Sequence, residues 1–483
     1  MYLGIDLGTS GVKATLIDDR QNVVGSGHAA LELSRPHRGW SEQDPAGWIE
    51  ATERAIAELK AAHAPVLAAV KGIGLSGQMH GATLLDEHDE PLRPSILWND
   101  TRAGLEAAEL DANPLFRGLS GNIVFPGFTA PKLVWVRNHE PHVFDAVRWV
   151  LLPKDYLRLW LTGEHASEMS DASGTSWLET GARAWSHDLL AATGLDARQM
   201  PSLAEGTEVT GTLRAELAAI WGMRADVIVA GGAGDNAASA CGTGTVAAGS
   251  AFVSLGTSGV LFAAGDSYLP SPASAVHTFC HALPAAWHQM GVILSATDSL
   301  NWLASLTGKT AGELTGQLGD CLQPPGAVTF LPYLSGERTP HNDASIRGVF
   351  AGLGHESGLA ALTQAVVEGV AFALRDNLEA LRAAGTRIAR VTAVGGGSRS
   401  RYWLEAIATA LNLPVDVPEE GESGAAFGAA RLGLIAAERA DPFTVCTPAA
   451  VSDVVEPAQA LAASYEAGYE RYRALYRAAR EHS

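Results

Sequence analysis

Five residues occur twice. Leu7-Gly8-Thr9-Ser10-Gly11, inside GIDLGTSGVK, returns as Leu255-Gly256-Thr257-Ser258-Gly259 about half a chain length later. Two glycines carry a conformational-entropy cost and two hydroxyls need partners, so the segment suits a turn that meets a polar ligand better than a packed core. Between two strands such a turn can aim consecutive backbone N–H groups and both hydroxyls into one concavity, an anion nest. Two nests, one per half, could hold the two ends of a polyphosphate, although the same pattern also makes a tight hairpin. The copies differ in chemistry: Asp6 stands two residues before Gly8, whereas Ser254 holds the matching place. Only the first copy therefore brings a carboxylate suited to Mg²⁺.

Three further stretches offer chemistry. Asp235 ends the run GGAGD on a glycine-rich strand-to-helix turn, where its side chain would be exposed at a sheet edge and favoured as the ion by a helix N-terminus. A carboxylate that accepts a hydroxyl proton is a recurrent part of phosphoryl transfer, and capping a helix that starts near Asn236 is the other use of an Asp there. Met79-His80 follows an apolar strand within SGQMHG; Ser76, Gln78 and Gly81 around it read as a polar pocket wall, and a satisfied structural histidine is the alternative. GGGSRS, Gly395 to Ser400, could let a nucleotide base and ribose lie against bare backbone, or could use glycine only for shape.

The elements that must carry these residues are legible in outline. Met1 to Asp6, Val12 to Asp18 and Val23 to Ser26 read as a strand meander, and Val70 to Leu75, Asp226 to Ala230, Ala251 to Leu255, Val260 to Ala263 and Val391 to Val394 as further strands. Asp44 is a helix N-cap, with Pro45 first in the helix and Trp48, Thr52, Ile56 and Leu59 at helical spacing. Other helices are expected at 298–307, 359–384, to about Leu411, and at 424–437 and 457–480. The segment ESGAAFGAARLG, Glu422 to Gly433, is helical in period but built from small residues, so it should pack unusually close to its neighbour. Strands that stop at polar clusters are how open α/β sheets place ligands beyond their ends.

With 483 residues the chain exceeds the size of one growing core, and the repeat places a division near the middle: residues 1–245 and 246–483. A formal charge of −19 argues against nucleic acid and anionic membranes as partners, so any phosphate must be met by local geometry. Cys241, Cys280, Cys321 and Cys446 are scattered, without the spacing of a zinc site or disulfide framework, which fits a reducing, cytoplasmic compartment. No apolar run has spanning length, and no leader is apparent at the start.

Taken together, GIDLGTSGVK, GFTAPKLVWVRNH, GGAGDNAA, SLGTSG, LPYLSGERTPH and GGGSRS resemble the FGGY carbohydrate kinases of the actin, Hsp70 and hexokinase-like ATPase superfamily, and they span nearly the whole chain. Within that family SGQMHGATLLD, LRPSILWND, LLPKDYLRL and AVHTFCHALP are most similar to members acting on D-xylulose. The resemblance implies an α/β fold of two ribonuclease-H-like domains with a cleft between them, ATP and Mg²⁺ as cofactors, and phosphoryl transfer to the sugar 5-hydroxyl. It implies Asp235 as general base, Asp6 as the acid near Mg²⁺ and phosphates, and Met79, His80 and Asn236 at the sugar. Thr9, Ser10, Gly256, Thr257 and Ser258 would face phosphates, and Gly395, Gly396, Gly397 and Ser398 the adenosine. GGAGD departs from a plainer glycine run, and Cys241 stands where Gly or Ala would be unsurprising. Kinases of gluconate, ribulose, fuculose or glycerol are the near alternatives. An actin- or Hsp70-like ATPase module would not need the polar strand ends, and a sugar-binding regulator is disfavoured by Asp6 and both turns. A homodimer stays open.

Overall fold

Two sheets with the same strand order organise the chain; the computed structural model describes residues 1–419 and 424–481. The first contains β1 (Tyr2–Leu7), β2 (Gly11–Ile17), β3 (Val23–Ala30), β4 (Gly72–Gly77), β5 (Val209–Thr212) and β6 (Ile228–Ala230), with Ala233–Gly234 also paired to β4. The second contains β7 (Ala251–Leu255), β8 (Gly259–Gly265), β9 (His277–Cys280), β10 (Trp287–Ile293), β11 (Val391–Val394), β12 (Val415–Pro418) and β13 (Val451–Val455). In the first, β1, β2 and β3 form an antiparallel meander, and β4 and then β6 run parallel to β1 on its other side. In the second, β7, β8 and β10 form the meander, and β11 and then β12 run parallel to β7. This repeated arrangement is the two-domain α/β architecture expected from the motifs.

The helices that matter for the site are α1 (Pro45–Leu67), α2 (Thr129–His139), α3 (Pro153–Thr162), α4 (Asp235–Thr243), α5 (Thr297–Thr307), α6 (Leu359–Ala383), α7 (Arg401–Leu411), α8 (Ala425–Glu438) and α9 (Ala462–Arg480). Asp44 caps α1 through the Ala46 amide, and Trp48, Thr52, Ile56 and Leu59 form its buried face, as their spacing predicts. The last helix begins at Ala462 rather than at residue 457, because the Ala458 N–H is donated to the Thr409 hydroxyl (3.0 Å) and a 3₁₀ turn intervenes. β9 and β10 have no counterpart in the sequence reading: their histidines and glutamine disguise strands that are almost wholly buried.

Helix α8 is the small-residue helix, and it packs across onto the first sheet; Glu422 and Ser423, which precede it in the expected segment, lie outside the described residues. A Cβ on Gly4 or Gly74 would overlap the carbonyl oxygen of Ala426 or Ala429, and one on Gly428 would overlap that of Ala238 in α4. Glycine is needed at these points because backbone lies directly on backbone. Helices α4 and α8 thus cross in contact between the sheets. Among the described residues no helix is long and apolar enough to cross a membrane.

Candidate active site

Strand register brings the two acids to one end of the first sheet. Asp6 is paired with Ser76, and Ser76 with Ala233, so Asp235 lies two residues beyond the same row. The Ser76 hydroxyl donates to Asp6 Oδ1 (2.9 Å), and burial raises the Asp6 pKa against the pull of that bond and of Lys13. Asp235 is the first residue of α4, and Gly234, not Asp235, occupies the N-cap. Its carboxylate instead accepts from the backbone N–H (2.7 Å) and side-chain amide (2.9 Å) of Asn236. Burial, reinforced by the Asp6 charge, pushes the Asp235 pKa up to about 7. A carboxyl poised near neutrality is suited to exchange a proton at physiological pH.

Beside the acids, the end of β4 forms a wall. His80 sits at φ 71°, in the left-handed region that is unusual for a residue with a β-carbon. Two donors hold its carbonyl there, Lys132 Nζ (2.9 Å) and Thr129 Oγ1 (3.1 Å), both from α2. The ring stacks on Phe128 (4.5 Å between centroids) and pairs with the Gly174 carbonyl through Nδ1 (2.8 Å). Burial drives the His80 pKa down to about 3, so the ring is neutral; Nδ1 carries the proton that Gly174 accepts, and Nε2 is left as an acceptor. Met79 is buried, its thioether packed under Gly234. Trp98 is 42% exposed, and its indole N–H donates to Thr9 Oγ1 (2.9 Å). That hydroxyl in turn donates to Gln78 (2.9 Å), while Gln43 donates to the Thr9 carbonyl (2.8 Å).

Both glycine turns have their carbonyls drawn into the protein. In the first, the Ser10 carbonyl accepts from Leu31 N–H and that of Thr9 from Gln43. In the second, the Gly256 carbonyl accepts from the Thr297 N–H and hydroxyl (2.7 Å to the latter), and the Thr257 carbonyl from the Ala296 and Asp298 amides. A trans peptide points its N–H opposite its C=O, so the Ser10, Thr257 and Ser258 amides face away from these anchors. Ser10 and Thr257 are exposed.

Thr297 also touches the third glycine cluster. Gly395, at φ 92°, follows β11 so closely that a Cβ would meet the Leu255 carbonyl at 2.8 Å. Ser398 ties its hydroxyl to the Gly395 carbonyl (2.6 Å), and Ser400 caps α7. A cavity of about 460 Å³ opens here, lined by Thr297, Asn301, Thr315, Gly396, Gly397 and Trp403 among others. Its size suits a purine and ribose.

The structure therefore gathers Asp6, Asp235 and Asn236 at one sheet end, places Met79 and His80 beside them, and groups Gly256 to Ser258 with Gly395 to Ser398. Thr9 differs from Ser10 in that its hydroxyl is committed to Gln78 and Trp98. Lys132, Thr129, Gly174, Asn301, Thr315 and Arg338, which lies 4.6 Å over Phe125 and within 3.4 Å of His277, escaped the sequence reading. GFTAPK and SGERTPH marked two of these segments, but nothing local tells where a lysine or arginine side chain ends.

Sequence models for the N-terminal and C-terminal domains of the FGGY family of carbohydrate kinases match residues 1–242 and 251–437. The chain is 51% identical to a xylulose kinase of Escherichia coli (strain K12) over 90% of each chain. A crystal structure of a xyloylose kinase from Brucella ovis superposes with a TM-score of 0.99 at 67% identity, covering 100% of both chains. A gluconate kinase from Lactobacillus acidophilus superposes with a TM-score of 0.92 at 25% identity over 99% of this chain and 97% of its own. The paired acids, the His80 wall and the two glycine turns thus lie on a scaffold shared along its whole length, and the chain belongs to the FGGY family of carbohydrate kinases.

Proposed function

We propose that this chain transfers the γ-phosphoryl group of ATP to the 5-hydroxyl of D-xylulose. The observation that carries the reading is the juxtaposition of Asp235 and Asp6 beside the His80 wall and the first glycine turn, in a chain half-identical to a xylulose kinase. In this reading residues 1–245 hold the sugar and the first phosphate turn, and residues 246–483 hold the nucleotide. Asp235 receives the proton of the attacking hydroxyl, and Asn236 orients that carboxylate with two donated hydrogen bonds. His80 Nε2 accepts from a sugar hydroxyl, Met79 floors the pocket, and the exposed face of Trp98 covers it. The Ser10, Thr257 and Ser258 amides receive phosphate oxygens, and the base and ribose rest on Gly395 to Ser398.

Mg²⁺ belongs to the same reading. Among the described residues no group of three or more His, Cys, Asp or Glu side chains is arranged to hold a metal ion by itself. That donor set fits a cation which keeps its waters and phosphate ligands and takes only one or two carboxylates from the protein. Asp6, with Oδ1 held by Ser76, would supply the carboxylate. When bound, the ion neutralises charge on the β- and γ-phosphate oxygens. A cytoplasmic location accords with the free cysteines.

The test is ADP release coupled to a colour reaction across D-xylulose, D-ribulose, glycerol, gluconate and L-fuculose. D-Xylulose should give the highest kcat/KM, because a site built to hydrogen-bond hydroxyls strongly rejects analogues that leave its own groups unpaired. Gluconate or glycerol ahead of xylulose would overturn the substrate, and ATP turnover indifferent to sugar would overturn the kinase reading.

A further inference from the structure

We propose that the buried charge cluster centred on Lys154 is a positioning device for the Asp235 loop, with Arg158 fixing the loop's entry and Ser170 its exit. The proposal rests on the reading of Asp235 as general base. Lys154, Asp155 and Arg158 come from α3 and the LLPKDYLRL segment, and Glu168, Ser170 and Asp171 from the short helix Met169–Ala172 and the residue that caps it; all six are buried. Lys154 Nζ lies 2.5 Å from Asp155, 3.7 Å from Glu168 and 3.5 Å from Asp171. Burial lowers the Lys154 pKa, but the three carboxyl groups outweigh it and leave the ammonium above its ordinary value. Burial drives Asp171 in the opposite direction, toward its neutral form, and both its oxygens lack a hydrogen-bond partner.

The cluster reaches the loop at two points. At the entry, Arg158 donates to the Ala230 carbonyl (2.7 Å) and the Gly231 carbonyl (2.5 Å), and to the Thr210 hydroxyl. Ala230 ends β6 and Gly231 follows it, just before Gly232 turns the chain at φ 74°. At the exit, the Gly234 N–H donates to Ser170 Oγ (3.1 Å), and Ser170 donates onward to Glu168 (2.9 Å). Glu168 is itself pinned by the Ser170 and Asp171 amides and by Lys154. Gly231 and Gly234 carry the grips, only Gly232 and Ala233 lie between them, and Asp235 follows at once. A loop of three glycines and an alanine has little stiffness of its own, so its pairing to β4 through Ala233 and Gly234 is reinforced by the charge network behind it. Removing one buried anchor lets the carboxylate drift, and a misplacement of about 1 Å can cost about 10²-fold in rate.

The decisive variant is Ser170→Ala, which deletes the acceptor for the Gly234 amide and touches neither ATP nor sugar. Its kcat should fall about tenfold to a hundredfold with the KM for ATP unchanged, and the pH of half-maximal kcat should move as Asp235 changes surroundings. A kcat within twofold of wild type with an unchanged pH profile would overturn the proposal. Asp235→Asn is measured alongside: if that variant stays fully active, the base reading fails, whereas an inactive Asp235→Asn with a silent Ser170→Ala fails only the positioning role. Should Ser170→Ala not fold, hydrogen exchange at the Gly234 amide of the wild-type protein decides. Slow exchange supports the anchor, and exchange at the rate of an open loop overturns it.

Discussion

The two halves share a topology and put it to different uses. In the first, the parallel strand beside the glycine turn, β4, ends in Gln78-Met79-His80; in the second, the equivalent strand β11 ends in Gly395-Gly396-Gly397. Side chains that project suit a small polyol, which must be gripped by its hydroxyls, whereas bare backbone suits a flat base and ribose. The turns diverge in the same way. Asp6 faces Lys13 across the β1–β2 pair, while Ser254 faces Val260 across β7–β8. One backbone device therefore carries a carboxylate beside it in one half and a hydroxyl in the other. Their supports differ too: Gln43, Gln78 and Trp98 hold the first turn, and the start of α5 holds the second.

The largest expected effect lies at the seam between the halves. Asp235→Asn keeps an oxygen for the Asn236 donors but removes the proposed base, so kcat should fall on the order of 10² to 10⁴-fold, with ATP binding retained. Wild-type kcat/KM for the sugar should rise with pH until about 7, where Asp235 loses its proton. The sign for stability is opposite. The folded pKa lies above the unfolded value near 3.8, so this carboxyl's contribution is full below that value and is lost as pH climbs through about 7. Asp235→Asn should accordingly raise Tm more at pH 8 than at pH 6, a calorimetric check independent of activity.

Exchanging the chemistry of the two turns tests their asymmetry. Asp6→Asn should lower kcat by about 10²-fold, and added Mg²⁺ should restore it only in part, because the carboxylate orients the ion as well as attracting it. Ser254→Asp sets a like charge near phosphate and should raise the KM for ATP by about fivefold, in line with about 1 kcal/mol at contact distance in water. Equal tolerance of both substitutions in steady-state assays would reduce the turns to plain hairpins.

The smallest effects separate sugar from nucleotide. His80→Ala should raise the KM for D-xylulose by about tenfold and leave that for ATP alone, the worth of one or two hydrogen bonds. Thr297→Val removes the hydroxyl bond to the Gly256 carbonyl and should raise the KM for ATP by about threefold without changing the sugar KM. Both affinities moving together in either variant would break the assignment of one ligand to each half.

Some of this architecture needed only the amino-acid sequence. Repeated GTSG turns, strands that stop at polar residues, the Asp44-Pro45 start of α1 and the small-residue face of α8 are local matters of glycine, capping and spacing, and local chemistry leaves its mark in consecutive residues. The difference between Asp6 and Ser254 was legible for the same reason. Tertiary structure decided what depends on distant partners. It made Asp235 the first residue of a helix rather than its cap, and set it beside Asp6 through register across β4. It held His80 at positive φ with a lysine and a threonine from α2, and committed the Thr9 hydroxyl to Gln78 and Trp98. It gathered Lys154, Arg158 and Ser170 behind a glycine-rich loop, and it buried β9 and β10 despite their polar residues. In each of these cases the deciding contact joins residues many positions apart, and its energy depends on burial, which exists only once the two sheets and their helices have closed around it.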